Sequence, residues 1–157
     1  MYEDFFQEFS KINGWKIVFE KSVGGFLYAG FSKKQPQKLM CISSQAISFI
    51  DCNKGICKYC DGDYDEDCLI AVCEGIDDEE ISIAGQYGGR LEYNSIQGES
   101  IIVNTSKDFI TEVTFKLNTG KIIKISKVYG YYTAGFSYDG NFFVFCDDGG
   151  ITVLKKV

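Results

Sequence analysis

From Trp15 to the C terminus the chain is punctuated at intervals too short for helices. Brief runs rich in Ile, Val, Phe and Tyr are separated by Gly, Asn, Asp and Ser, and the whole sequence holds a single Pro. β-branched and aromatic side chains suit a pleated, half-buried surface, and the intervening residues supply turns. This rhythm predicts strands near 15–20, 26–32, 38–43, 46–51, 68–73, 80–84, 100–104, 110–117, 121–128, 131–137, 142–146 and 150–155. Hairpins are expected at Ile110 to Ser126, turning at Asn118-Thr119-Gly120; at Phe142 to Leu154, turning at Asp147-Asp148-Gly149-Gly150; and around Asn53-Lys54-Gly55. The expected fold is therefore mainly β: an antiparallel meander closed into a barrel, a sandwich or a propeller-like array, with one short N-terminal helix. That helix is placed over residues 2–12, where Tyr2, Phe5, Phe6, Phe9 and Ile12 recur at helical spacing, Glu3 and Asp4 complement the dipole, and Asn13-Gly14 stops the run. A length of 157 residues suits one hydrophobic core, so the chain is read as a single all-β domain.

An internal echo sharpens the β reading. Val23 to Ser32 aligns without gaps on Val128 to Ser137, sharing Ala-Gly-Phe-Ser, and Cys41 then falls on Cys146. Two copies of one strand-turn-strand unit near the two ends would let the terminal regions pair and remove exposed edges.

Charge is distributed unevenly. Lys and Arg minus Asp and Glu give +3 (8 minus 5) for residues 1–60, −10 (0 minus 10) for residues 61–80 and +1 (8 minus 7) for residues 81–157. Asp61, Asp63, Asp65, Glu66 and Asp67 form one cluster and Asp77, Asp78, Glu79 and Glu80 another, with Glu74 between them. If Leu69 to Val72 is a strand, the clusters lie at its two ends, roughly 20 to 30 Å apart, as lobes of one acidic face. Such a field accelerates encounter with a basic protein and disfavours nucleic acid, whose phosphates require Lys and Arg. Exposed Tyr59, Tyr64 and Tyr87 are candidate anchors for such a partner.

Other chemistries fit less well. Asp61-Gly62-Asp63-Tyr64-Asp65 has the alternating oxygens that begin a calcium loop, but Glu66 stands where Gly is needed and Val72 where Glu is needed. Cys52, Cys57, Cys60 and Cys68 would supply four thiolates for a structural zinc, although only one close-set pair is present. This leaves a zinc-stabilised β module as the alternative to partner binding. A third alternative is a barrel lined by aromatics around a ligand. The sequence contains no His, which removes the usual general base and the Ser-His and Cys-His nucleophile systems. Gly85-Gln86-Tyr87-Gly88-Gly89-Arg90 lacks the Lys-Ser or Lys-Thr of a phosphate loop. No catalytic residues and no cofactor are therefore assigned. No apolar run is long enough to span a membrane, Met1-Tyr2-Glu3-Asp4 is acidic where a secretory signal is basic, and seven Cys is an odd number. These features predict a cytoplasmic protein.

Residues Ala134 to Leu154 resemble one outer hairpin of a β-propeller blade. Together with Leu69-Ile70-Ala71-Val72-Cys73-Glu74-Gly75 and Ile83 to Leu91, they resemble small uncharacterised bacterial β-rich proteins associated with toxin immunity loci. The likeness covers a minority of the chain and departs after Leu91, where Glu92-Tyr93-Asn94-Ser95-Ile96-Gln97-Gly98 follows. It implies a bacterial immunity or antitoxin-type protein that covers a basic toxin domain, such as a nuclease, with the acidic face.

Overall fold

The computed structural model describes residues 5–157. In chain order its strands are β1 (Phe6–Gln7), β2 (Trp15–Lys21), β3 (Phe26–Phe31), β4 (Lys38–Ser43), β5 (Ile47–Asp51), β6 (Ile56–Tyr59), β7 (Gly62–Asp65) and β8 (Ile70–Cys73). They continue with β9 (Ile76–Ser82), β10 (Ala84–Gly85), β11 (Ser100–Thr105), β12 (Ile110–Lys116), β13 (Ile122–Tyr129), β14 (Tyr132–Phe136), β15 (Phe142–Asp147) and β16 (Gly150–Lys156). All ladders are antiparallel, and they form four separate sheets: A (β1-β13-β12-β11), B (β14-β15-β16-β2), C (β10-β3-β4-β5-β6) and D (β7-β8-β9). No sheet closes on itself, so the expected barrel is not formed.

The sheets stack face to face in the order A, B, C, D, and the alternation of side chains along each strand shows why. In β15, Phe143 and Phe145 enter the core between A and B, while Phe142, Val144 and Cys146 enter the core between B and C. In β4, Leu39 and Cys41 face sheet B, while Met40 and Ile42 face sheet D. A strand with both faces covered reads as a continuous apolar run, which is how both segments read in the sequence. Among the described residues sheets A and D each have one face without a neighbouring layer, and β7 and β12 alternate accordingly.

The internal echo maps onto sheets B and C. Ala29-Gly30-Phe31 lies in β3 and Ala134-Gly135-Phe136 in β14, the opening strands of two stacked sheets, with Cys41 and Cys146 in the strands that follow. Ser32 and Ser137 start equivalent turns, their amides donating to the carbonyls of Lys38 and Phe142 at 3.0 and 2.9 Å. The two copies therefore stack and do not pair. Sheet B is completed instead by β2, which runs beside β16 from Lys21 opposite Ile151 to Trp15 opposite Lys156.

After β9 the chain returns across the stack. β10 pairs with β3, Glu92 bridges to Phe136 in sheet B, and Asn94 bridges to Ser100 at the start of sheet A. This connector needs the two echoed glycines. A Cβ on Gly30 would lie 2.3 Å from the Ser82 carbonyl oxygen, and one on Gly135 would lie 2.4 Å from the Leu91 Cβ.

The expected helix is not formed over its described part; Tyr2, Glu3 and Asp4 lie outside the described residues. Phe6 and Gln7 add to the edge of sheet A opposite Lys127 and Ser126, and the Glu8 amide donates to the Ile125 carbonyl at 2.7 Å. Phe9 and Ile12 then turn into the A–B core, while Phe5 stays exposed. A helix this short is marginal alone, and the free edge of β13 offers the same backbone amides lasting partners. Among the described residues there is no helix, and so none long and apolar enough to cross a membrane.

Candidate functional site: the acidic outer face of sheet D

Sheet D ends the stack. Its inner face, with Ala71, Cys73, Ile76 and Ile81, covers Tyr28, Met40 and Ile42 of sheet C. Alternation then sends Asp63, Asp65, Val72 and Glu80 to the opposite side, where Val72 is 46% exposed and the carboxylates are exposed. The alternation in β9 resets at Asp78, which has a φ of 57°, a left-handed conformation that Asp tolerates better than most residues. That reset lets both Ile76 and Ile81 face inward.

The two acidic clusters lie on the strands that flank β8, the first along β7 and the turn after it, the second along β9. Asp63 lies opposite Val72 in the β7–β8 ladder, and Ile81 opposite Ala71 sets Glu80 on the far side of Val72. Two strand spacings, about 10 Å, separate β7 from β9. Asp61, Asp77 and Asp78 border a groove on one side of the Val72–Glu80 ridge; Asp63, Asp65, Glu66 and Asp67 border a second groove on the other. Local turns fix several of these groups. The Asp65 carboxylate accepts the amides of Cys68 at 3.1 Å and Asp67 at 2.8 Å, and these bonds hold it below the usual carboxylate range. Asp63 accepts the Tyr64 amide at 2.8 Å.

Glu79 departs from the expected set. It is half-buried and turned toward sheet C, where its carboxylate accepts the Ser32 hydroxyl at 2.5 Å and the Lys33 amide at 2.7 Å. It ties β9 to the β3–β4 turn. Two lysines reach this end of the sheet through backbone oxygens, Lys34 to Asp78 at 2.7 Å and Lys38 to Gly75 at 2.6 Å. Among the described residues no Lys or Arg forms an ion pair with the carboxylates of residues 61–80; the pairs present are Lys127–Glu112 at 3.9 Å and Lys156–Glu99 at 2.5 Å. The negative field is thus least compensated around Asp63, Asp65, Glu66, Asp67 and Glu80.

No protein-family model matches the chain, and no curated protein matches it.

The aromatic candidates divide. Tyr64 is half-buried in β7, its ring 5.9 Å from that of Tyr28 beneath it. Tyr87 is exposed beyond β10. Tyr59 belongs elsewhere, on edge strand β6, where Lys21 donates to its hydroxyl at 3.0 Å.

The four thiols proposed for zinc are not brought together. Cys52 is buried between sheets B and C, Cys57 sits on β6, Cys60 packs against the C–D core, and Cys68 is exposed in the β7–β8 turn. Cys60 instead neighbours Cys73, which the sequence reading did not single out; burial first, and then the Cys73 thiol, push Cys60 up to about 12. Among the described residues no three His, Cys, Asp or Glu side chains converge to hold a metal. The Asp61-Gly62-Asp63-Tyr64-Asp65 segment runs extended in β7, and its ladder with β8 replaces the looped geometry calcium requires. Val72, Ser32, Lys34 and Lys38 also shape the face. The Asp-x-Asp-x-Asp spacing was the available signal for it, since alternate positions of a strand share a side.

Proposed function

We propose that this chain is an immunity or antitoxin-type protein that binds a basic toxin domain, such as a nuclease, through the outer face of sheet D. The observation that carries the proposal is the gathering of Asp63, Asp65, Glu66, Asp67 and Glu80 around Val72 without compensating cations. Such a surface steers a cationic partner and opposes nucleic acid. Exposed Val72 gives that surface apolar contact area, Tyr64 backs it from beneath through its packing on Tyr28, and exposed Tyr87 is a further anchor. Asp61, Asp77 and Asp78 extend the face past the ridge, and the resemblance to bacterial immunity-locus proteins supports a cytoplasmic setting.

The test is to express the products of the genes flanking this one and to titrate each basic product against this chain by calorimetry, at low and near-physiological salt; binding by none of them would refute the proposal. Affinity for wild type is expected to fall as salt rises. Changing Asp63, Asp65, Asp67 to Asn and Glu66, Glu80 to Gln should remove most of that dependence and weaken binding at least tenfold, about 1.4 kcal/mol. Equal affinity and equal salt dependence in the two proteins would refute the proposal.

A further inference from the structure

A recess of about 80 Å³ opens where the ends of sheets B and C meet, well separated in the fold from the face of sheet D. Its floor is formed by Cys41, Ser48, Ile50 and Ile151, all buried. Half-buried Cys57 faces in from β6, the edge strand of sheet C. The ladder places it there: Cys57 lies opposite Ile50 and Tyr59 opposite Ser48, so both project to the side of the sheet that packs on sheet B. Lys21, the last residue of β2, closes the rim. Its ammonium donates to the Tyr59 hydroxyl at 3.0 Å and stands 4.7 Å over that ring, and the hydrogen bond to Tyr59 favours its charged form. The recess holds several water volumes, enough for the sulfur-bearing end of a small molecule.

The remaining thiols are placed differently. Cys41, Cys52, Cys73 and Cys146 are buried. Cys68 is exposed, but the Asp65 carboxylate, with Asp67 and Glu80, holds its thiol above the ordinary value. Cys60 is pushed up to about 12 by burial and by Cys73. The thiolate is the nucleophile, and an anionic reagent is drawn to an ammonium and repelled by clustered carboxylates.

We propose that Cys57 is a covalent modification site, S-thiolated by small anionic disulfides whose acidic group docks on Lys21 at the rim of the recess. The Cys57 proton passes to solvent, the thiolate attacks one sulfur of the disulfide, a protein–S–S–R bond forms as the reagent's S–S bond breaks, and RS⁻ departs. The disulfide supplies the oxidising equivalent, so no further reactant is needed. The product places an anionic adduct between β2 and β6, at the junction of sheets B and C.

The experiment uses the full reduced chain with limiting 5,5′-dithiobis(2-nitrobenzoate) or glutathione disulfide, and with cationic cystamine for contrast, mapping the first modified thiol by peptide mass. The anionic reagents are expected to label Cys57 first, and cystamine to shift the preference to Cys68. Lys21→Gln should slow anionic labelling of Cys57 by about tenfold at low salt while leaving the cystamine rate no slower. Cys57→Ser should abolish the fast phase; if that variant fails to fold, the mapping in wild type and Lys21→Gln still decides. First labelling of Cys68 or Cys60 by the anionic reagents, or an unchanged rate in Lys21→Gln, would overturn the assignment.

Discussion

Removing the Lys156 ammonium tests how the return connector is fastened to the stack. The Glu99 side chain is only 1% exposed, and Lys156, at 23%, approaches its Oε2 at 2.5 Å. The other carboxylate oxygen, Oε1, has no hydrogen-bond partner, so the carboxylate depends on this ammonium. Lys156 also donates to Gln97 Oε1 at 2.9 Å, and Gln97 Nε2 donates to the Asp139 carbonyl at 2.7 Å and to Asn141 Oδ1 at 2.8 Å. One lysine thus links the 95–99 turn to the end of sheet B. Lys156→Met keeps most of the stem and deletes the charge. Stranding a buried carboxylate costs roughly 3–5 kcal/mol, and the partial exposure of Lys156 favours the lower end. At about 2–4 °C per kcal/mol for a chain of this size, the melting temperature should fall by roughly 6–12 °C. Thermal melts and urea unfolding followed by far-UV circular dichroism are the assays, because Trp15, the natural fluorescent probe, lies opposite Lys156 in the ladder. Glu99→Gln should cost less, and adding it to Lys156→Met should recover at least about 1 kcal/mol, the signature of a coupled pair. A loss within about 0.5 kcal/mol for Lys156→Met, with additive behaviour in the double variant, would refute this account.

Stability should also decline in alkali. Burial pushes the Cys41 and Cys52 thiols from 9.0 up to about 12. In the unfolded chain they ionise first, so their contribution is intact below about pH 9 and is lost as pH rises toward 12. The urea midpoint should fall between about pH 9 and pH 12, less steeply in a Cys41→Ala/Cys52→Ala variant; parallel slopes would remove this cause. Gly135→Ala, whose Cβ would meet the Leu91 Cβ at 2.4 Å and the Glu92 oxygen at 2.9 Å, should destabilise by about 1–3 kcal/mol or more. Gly24→Ala, with its nearest neighbour at 3.9 Å, should stay within about 0.5 kcal/mol in the same thermal melts.

The strands that were legible are those whose apolar pattern is carried by their own residues. β12 alternates between buried and half-buried positions, and turns such as that at Gly120 carry the required positive φ. β6 is implied only by the turn at Asn53-Lys54-Gly55, and β7 has no apolar pattern of its own, because both are short and mostly exposed, with acids and lysine at strand positions whose pairing comes from neighbours. The N-terminal segment misled because Phe5, Phe6, Phe9 and Ile12 have helical spacing, yet only Phe9 and Ile12 are buried, and each docks into a core made by strands far along the chain. At the candidate site, the charge excess of residues 61–80 was visible from composition. The capture of Glu79 by Ser32 and the placing of the clusters on either side of β8 were not, since they depend on β9 meeting β8 and sheet C and on the reset at Asp78.

The amino-acid order alone settled what depends on neighbouring residues: extended segments, the turns between them, and acids spaced so that alternate ones share a side. Which sheet covers which, how β2 comes to complete sheet B, and which carboxylates remain uncovered followed only from folding. Those outcomes depend on apolar faces distant in the chain finding one another. Alternation says that a face will be buried, whereas only packing selects the face that buries it.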